Sequence, residues 1–171
     1  MGTVPSEEQF IDLYREYAPK LFKYCYFRVH SKEDAEDLAA KVFTKTWDYL
    51  VAGNQIDNMR AFMYRSAHNL IVDFYKTSKR DREISTDQFG EDTIDLLDNA
   101  KFPDDIDVRM ELKNVQTHLQ QLPDDYRDLI VLRYMQELEI DEIAAIMGMT
   151  KNNTSVKLHR AIEKLKTLYE Q

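Results

Sequence analysis

Residues 138–165, LEIDEIAAIMGMTKNNTSVKLHRAIEKL, hold two helical patterns that meet at one glycine. Ile140, Ile143, Ala144 and Met147 recur at helical spacing, and Gly148 then stops the pattern. Thr150 is placed to cap a second helix whose apolar stripe is Thr154, Leu158, Ile162 and Leu165. The spacing predicts a helix-turn-helix. Ala144 suits the crossing of two helices where a larger side chain would not fit, and Gly148 suits a turn that leaves a helix through left-handed backbone. The second helix carries Lys151, Lys157, Arg160, Lys164 and Lys166 against one acid, Glu163, a net +4. That charge on an otherwise acidic chain marks a phosphate-facing element.

The overall charge of −8 argues against nucleic acid when read as one number, but it is unevenly placed. Residues 1–80 hold 12 bases and 11 acids, residues 81–110 hold 3 bases and 10 acids, and residues 111–171 hold 8 bases and 10 acids. Nearly all of the acidity thus sits in 81–110. That segment contains Gly90 and Pro103 and lacks a sustained apolar period, so it reads as a linker between two helical domains, 1–80 and 111–171. Lobes of this size are near the lower limit for an independent core. With four glycines, four prolines and no alternating apolar run, the chain reads as all-α: two small helical domains on an acidic tether. The one cysteine, Cys25, can neither staple nor chelate by itself and reads as a buried thiol suited to a reducing cytoplasm. No apolar run approaches the ~20 residues of a membrane span, so no membrane insertion is expected.

In the first lobe Phe10, Leu13, Tyr14, Tyr17, Leu21 and Tyr24 trace one helical face, expected to bend or break at Pro19. Ser31 caps a second helix with Asp34 at its third position and a stripe of Ala35, Leu38, Val42, Phe43 and Trp47. A polar break at Gly53, Asn54 and Gln55 precedes a third helix from about Asn58 to Lys76, with Phe62, Met63, Ala67, Leu70, Ile71 and Phe74 as its core face. Arg60, Arg65, Asn69, Tyr75 and Lys76 lie elsewhere on it, and Lys79 and Arg80 follow. Aromatics among amides and cations are what single-stranded nucleic acid needs, because rings stack on bases and cations hold the backbone; the plainer reading is that most of the rings are core.

In order and spacing these residues resemble the extracytoplasmic-function sigma factors, the minimal two-domain branch of the sigma-70 superfamily. LYREYAPKLFKY, DAEDLAAKVFTKTW and RAFMYRSAHNLIVDFYK resemble the family's region two, and LQQLPDDYRDLIVLRYMQELEIDEIAAIMGMTKNNTSVKLHRAIEKL its region four. The resemblance implies a transcription initiation factor that binds core RNA polymerase and promoter DNA, with an anti-sigma factor as a possible further partner. It implies that region two meets the polymerase clamp helices through the helix bearing Asp34, Asp37, Lys41 and Thr44. Region two would also open the minus-ten element by capturing an unstacked base, with Asn69 in the base pocket. Asn54, Gln55 and Asn58 would form the rest of that pocket, and Arg60, Arg65, Lys76, Lys79 and Arg80 would hold phosphates. Region four would enter the major groove of the minus-thirty-five element and rest on the polymerase flap. Ser155, Val156, Lys157, His159 and Arg160 would face the duplex, with Thr150, Lys151, Asn152 and Asn153 at the helix start and Arg133 as a further phosphate contact. The family's linker runs through channels that otherwise carry nucleic acid, so the acids of 81–110 would mimic phosphates or simply solvate a tether.

The chain departs from the family pattern where Ala40 and Lys41 replace a Gln-Glu pair, and where Asn152, Thr154 and Ser155 replace a glycine, a valine and a base. These changes alter the polar contacts expected with the clamp helices and reduce the cationic contacts expected in the groove. No glycine-rich phosphate loop, nucleophile elbow or Cys-His pairing is present, His30, His68, His118 and His159 are scattered, and neither enzymatic chemistry nor a metal or cofactor is expected. Two other readings remain on the residues alone: a helix-turn-helix regulator with an N-terminal ligand- or partner-binding lobe, and a protein-interaction adaptor built on the same fold.

Overall fold

The computed structural model describes residues 4–78 and 114–171, and the acidic segment 81–110, Lys79 and Arg80 lie outside them. The described residues contain helices and turns with no strand, and the chain divides into two compact units, one N-terminal and one C-terminal.

The N-terminal unit is a bundle of three helices, α1 (Glu7–Val29), α2 (Lys32–Val51) and α3 (Met59–Ser78), each packed on the other two. α1 starts at a capping box. Ser6 Oγ accepts the Gln9 N–H at 3.3 Å, and Gln9 Oε1 accepts the Ser6 N–H at 2.9 Å. The helix runs unbroken through Pro19, against the expected break. Proline removes one backbone bond, and burial of Leu21, Tyr24, Cys25, Tyr26 and Val29 in the turns that follow outweighs that loss. The first turns are shallower than the sequence suggests: Tyr14, expected on the core face, is 52% exposed. Cys25 is a buried free thiol.

Ser31 Oγ accepts the Asp34 N–H and starts α2. Ala35, Leu38, Val42 and Phe43 are buried as their spacing predicts, together with Thr46, whose hydroxyl is satisfied by the Val42 carbonyl at 2.8 Å. On α3 the fully buried residues are Met63, Ala67 and Ile71, joined by Tyr64. Phe62, Leu70 and Phe74 are only half-buried, so the core face is rotated toward Tyr64 from the one expected. Tyr64 meets Tyr24 edge-on at 5.6 Å, and burial, followed by the nearby Tyr17, pushes its hydroxyl pKa upward. The Tyr75 hydroxyl donates to the Arg28 carbonyl and ties the end of α3 to the end of α1.

The C-terminal unit begins with a helical stretch over 114–120, followed by α4 (Asp124–Ile130), a π-helical turn (Val131–Met135), α5 (Ile140–Met147) and α6 (Lys151–Tyr169). Buried Arg127 closes the first corner. Its guanidinium donates to the carbonyls of Leu119, Gln120 and Leu122 and to Asp124, so the carbonyls that end a helix find a charged donor rather than water. The π turn brings the Leu138 N–H to the Leu132 carbonyl at 3.0 Å and leaves Glu137 at φ 56°, a left-handed conformation uncommon outside glycine. The turn into α6 follows the sequence. Gly148 has φ 66°, the Met149 N–H donates to Ala144 O, and Thr150 Oγ1 accepts the Asn153 N–H at 3.1 Å. α6 packs on α4 through a stripe of Thr154, Leu158 and Ala161, with Ile162 and Leu165 at its margin.

Candidate nucleic-acid interface

α6 divides sharply by face. Opposite its buried stripe it exposes Asn152, Asn153, Ser155, Val156, His159 and Arg160. Thr150 stands exposed at its start and is already engaged as the cap. Its cations differ in what they are free to do. Lys151 lies 3.2 Å from Asp141, Lys166 3.5 Å from Glu163, and Lys157 2.5 Å from Asp125 of α4. Arg160 and Lys164 have no ion pair among the described residues, so the unspent charge gathers in the middle of the helix. Arg133, expected at a phosphate, donates to the Leu138 carbonyl at 2.8 Å and to Glu139 at 3.2 Å, bracing the loop that enters α5.

In the N-terminal unit Arg65, Asn69 and Lys76 are exposed at positions i, i+4 and i+11 of α3, one outward row in which Asp73 also stands. Arg60 is half-buried near Tyr64. The loop before α3 is built by two of its own amides. Asn54 Nδ2 donates to the Tyr49 carbonyl at 3.1 Å, and Asn58 Oδ1 accepts the Ala61 N–H at 3.0 Å. Each therefore commits a side-chain function to the geometry of the loop, while Gln55 is exposed with no such commitment. Lys79 and Arg80 fall outside the described residues.

On α2 Asp34, Asp37, Lys41 and Thr44 follow one face. Asp37 and Lys41 pair at 2.9 Å, and Thr44 Oγ1 donates to the Ala40 carbonyl. Thr44 also borders a feature that the stripe pattern does not reveal, a groove of about 540 Å³ lined by Phe10, Ile11, Tyr14, Phe43 and Trp47. Its signal in the sequence is an excess: Phe10, Ile11, Leu13, Tyr14 and Tyr17 cover more of α1 than one buried stripe needs. No group of three or more His, Cys, Asp or Glu side chains among the described residues is placed to hold a metal ion.

Comparison with known proteins follows the same two-part division. The model of sigma-70 region 2 matches residues 13–81 and that of sigma-70 region 4 matches residues 112–165, together most of the chain. Among curated relatives, the ECF RNA polymerase sigma factor SigW of Bacillus subtilis is 27% identical over 165 residues, covering 94% of this chain and 88% of its own. The ECF RNA polymerase sigma factor SigM of the same organism is 27% identical over 161 residues, covering 94% of each. Two solved structures share the fold. CnrH, in complex with the cytosolic domain of CnrY, has a TM-score of 0.67 at 20% identity over 96% of this chain and 90% of its own. RpoE of Bartonella quintana, in complex with the anti-sigma factor NepR, has a TM-score of 0.69 at 18% identity over 95% of this chain and 98% of its own.

Proposed function

This chain belongs to the sigma-70 family, as an extracytoplasmic-function RNA polymerase sigma factor, and from that premise we propose how its surfaces divide the work of initiation. It is a transcription initiation factor for core RNA polymerase at promoter DNA, and the regulator reading is not favoured. Residues 1–80 act as region two, 111–171 as region four and 81–110 as the connection between them. The α2 face of Asp34, Asp37, Lys41 and Thr44 meets the clamp helices. Asn69, with Asn54, Gln55 and Asn58 of the loop before α3, takes the flipped base of the minus-ten element, and Arg65 and Lys76 hold its backbone. α6 enters the major groove at the minus-thirty-five element, where Arg160 and Lys164 supply the readily available charge. Arg127 and Arg133 position the elements beneath α6.

The observation that carries this division is the exposed Arg65–Asn69–Asp73–Lys76 row, in which an amide stands one turn after one cation and, past a single acid, two turns before the next, on a helix otherwise packed into a bundle. An amide offers donor and acceptor together and so reads a base edge, whereas a solvating face needs only charge. Initiation is the chain's only activity in this reading, with the chemistry left to the polymerase, so it acts in the cytoplasm. The solved neighbour RpoE, in complex with the anti-sigma factor NepR, supports a similar partner here. In vitro transcription with purified core polymerase and a promoter library tests the assignment. Promoter-directed transcripts that require both partners are expected; tight binding of the free chain to palindromic duplex without polymerase would instead favour a regulator.

A further inference from the structure

The outward face of α6 is polar except at its centre. Val156 stands almost opposite the buried stripe of Thr154, Leu158 and Ala161, and it is 43% exposed. Asn152 lies one turn before it on the same row, and Glu163, two turns after it, closes the row with an acid. Glu163, paired with Lys166 at 3.5 Å, offers a phosphate neither a donor nor free positive charge, so the base-facing part of the helix is taken as its first two and a half turns. Within those turns neither lysine is disposed to read a base edge: Lys151 is held by Asp141 and Lys157 by Asp125, and Arg160 lies to one side of the row, toward Lys164. What the centre of the row offers is one branched apolar group and one amide, with exposed His159 flanking them on the side away from Arg160.

In the major groove these two chemistries have matching partners. The C5-methyl of thymine is the apolar group displayed there, and the N6/N7 edge of adenine is the one that takes an amide as a bidentate pair. Building on the minus-thirty-five assignment above, we propose that Val156 and Asn152 are its specificity-determining residues, with Val156 packing on a thymine methyl and Asn152 pairing with a neighbouring adenine. The element is read at this point as an A·T step. Thr150 supports the reading by capping the helix with its own hydroxyl, which fixes the first turn and hence the angle at which Asn152 is presented.

The test uses holoenzyme and a promoter selected from a random library by the wild-type protein. Deoxyuridine replaces thymine at each position of the minus-thirty-five element in turn, which removes the methyl and nothing else. One position is expected to weaken complex formation about fourfold, the worth of one buried methyl-sized group. Holoenzyme carrying Val156→Ala should be indifferent to the same replacement, while Val156→Thr, which keeps a methyl, should remain sensitive. In parallel, 7-deazaadenine at a neighbouring position should penalise the wild type and not Asn152→Ala. Both residues are exposed, so equal melting temperatures are expected and guard against misfolding. No responsive position, or a deoxyuridine penalty of equal size in Val156→Ala, overturns the proposal while leaving the sigma assignment standing. Wild-type holoenzyme that selects no promoter overturns both.

Discussion

Lys157 of the helix assigned to the duplex lies 2.5 Å from Asp125 of α4, each about 40% exposed, so one cation of the recognition helix is spent inside its own unit. The pair joins the first turn of α4, which Arg127 anchors through Asp124, to the second turn of α6. Its strength as a stabiliser is modest, under about 1 kcal/mol for groups this exposed. Its larger effect is on charge available to DNA. Asp125→Asn frees Lys157, and each additional phosphate neutralised steepens the dependence of log affinity on log salt by about 0.9. Duplex binding by the free protein, followed by anisotropy from low to moderate salt, should become tighter and steeper in the variant. An unchanged slope would show that Lys157 serves packing alone.

Two positions share nearly the same backbone and carry opposite residues. Gly148 has φ 66° and Glu137 φ 56°. Left-handed backbone costs a residue with a Cβ roughly 1–2 kcal/mol, and glycine is exempt. A Cβ at Gly148 would meet nothing within 4 Å, so Gly148→Ala pays only that conformational penalty and should destabilise by about 1 kcal/mol. Glu137→Gly should move the other way, stabilising by up to about 1 kcal/mol once the greater freedom of the unfolded chain is deducted. Denaturant titrations of the two variants should therefore bracket the parent.

The features most legible in the sequence are those governed by local rules. The turn at Gly148, the Thr150 and Ser31 caps and the centres of the α2 and α6 stripes depend on neighbours three or four residues away and stand where their patterns put them, while Trp47, Ile162 and Leu165 at the stripe ends are half-buried. Features decided by distant packing were less legible. Pro19 fails to break α1 because the turns after it are buried against other helices, and Tyr14, whose ring lies 4.7 Å from Phe43 of α2, stays half-exposed along the open groove it lines. Tyr64, polar at its tip, takes a core place that Phe62 and Phe74 only partly fill. In the candidate site, residue types pointed to the amide and cation rows, but specific commitments were hidden: Arg133 braces a loop, Lys157 pairs with α4, and Asn54 and Asn58, expected in the base pocket, also hold the backbone of their own loop.

Asn69 gives the most direct test of the minus-ten assignment. It is exposed, on the face of α3 opposite buried Met63, Ala67 and Ile71, so truncation removes little from the fold. Asn69→Ala should lower open-complex formation by the worth of a base-edge contact, about 1–3 kcal/mol, with core affinity unchanged. Permanganate reactivity of unpaired thymines reads the first quantity and titration of labelled protein with core reads the second. Full promoter melting in the variant would move the base pocket elsewhere.

The α2 face poses a different question, because it carries two acids against one base while the groove beside it is apolar. Lys41 already has Asp37 as a partner at 2.9 Å, so Lys41→Glu both removes that pair and sets two like charges one turn apart. For an exposed i, i+4 pair the fold loses only about 0.5 kcal/mol. If the face docks on the polymerase, the reversal acts on binding as well, by roughly 1 kcal/mol, and core affinity shifts beyond what stability explains. Ile11 separates charge from apolar contact. It is 47% exposed and lines the groove bordered by Thr44, so Ile11→Ser removes apolar surface that the free protein hardly buries. Its melting temperature should stay within a degree or two of the parent, while affinity for core falls several-fold if the groove is covered on docking, an apolar side chain being worth about 1.5–3 kcal/mol when fully buried. Loss of binding in Ile11→Ser with little change in Lys41→Glu would assign the contact to the groove and leave the Asp37–Lys41 pair as a solvated ornament of α2. The opposite pattern would place it on the charged face. Two unchanged affinities would remove this side of the N-terminal unit from the polymerase interface.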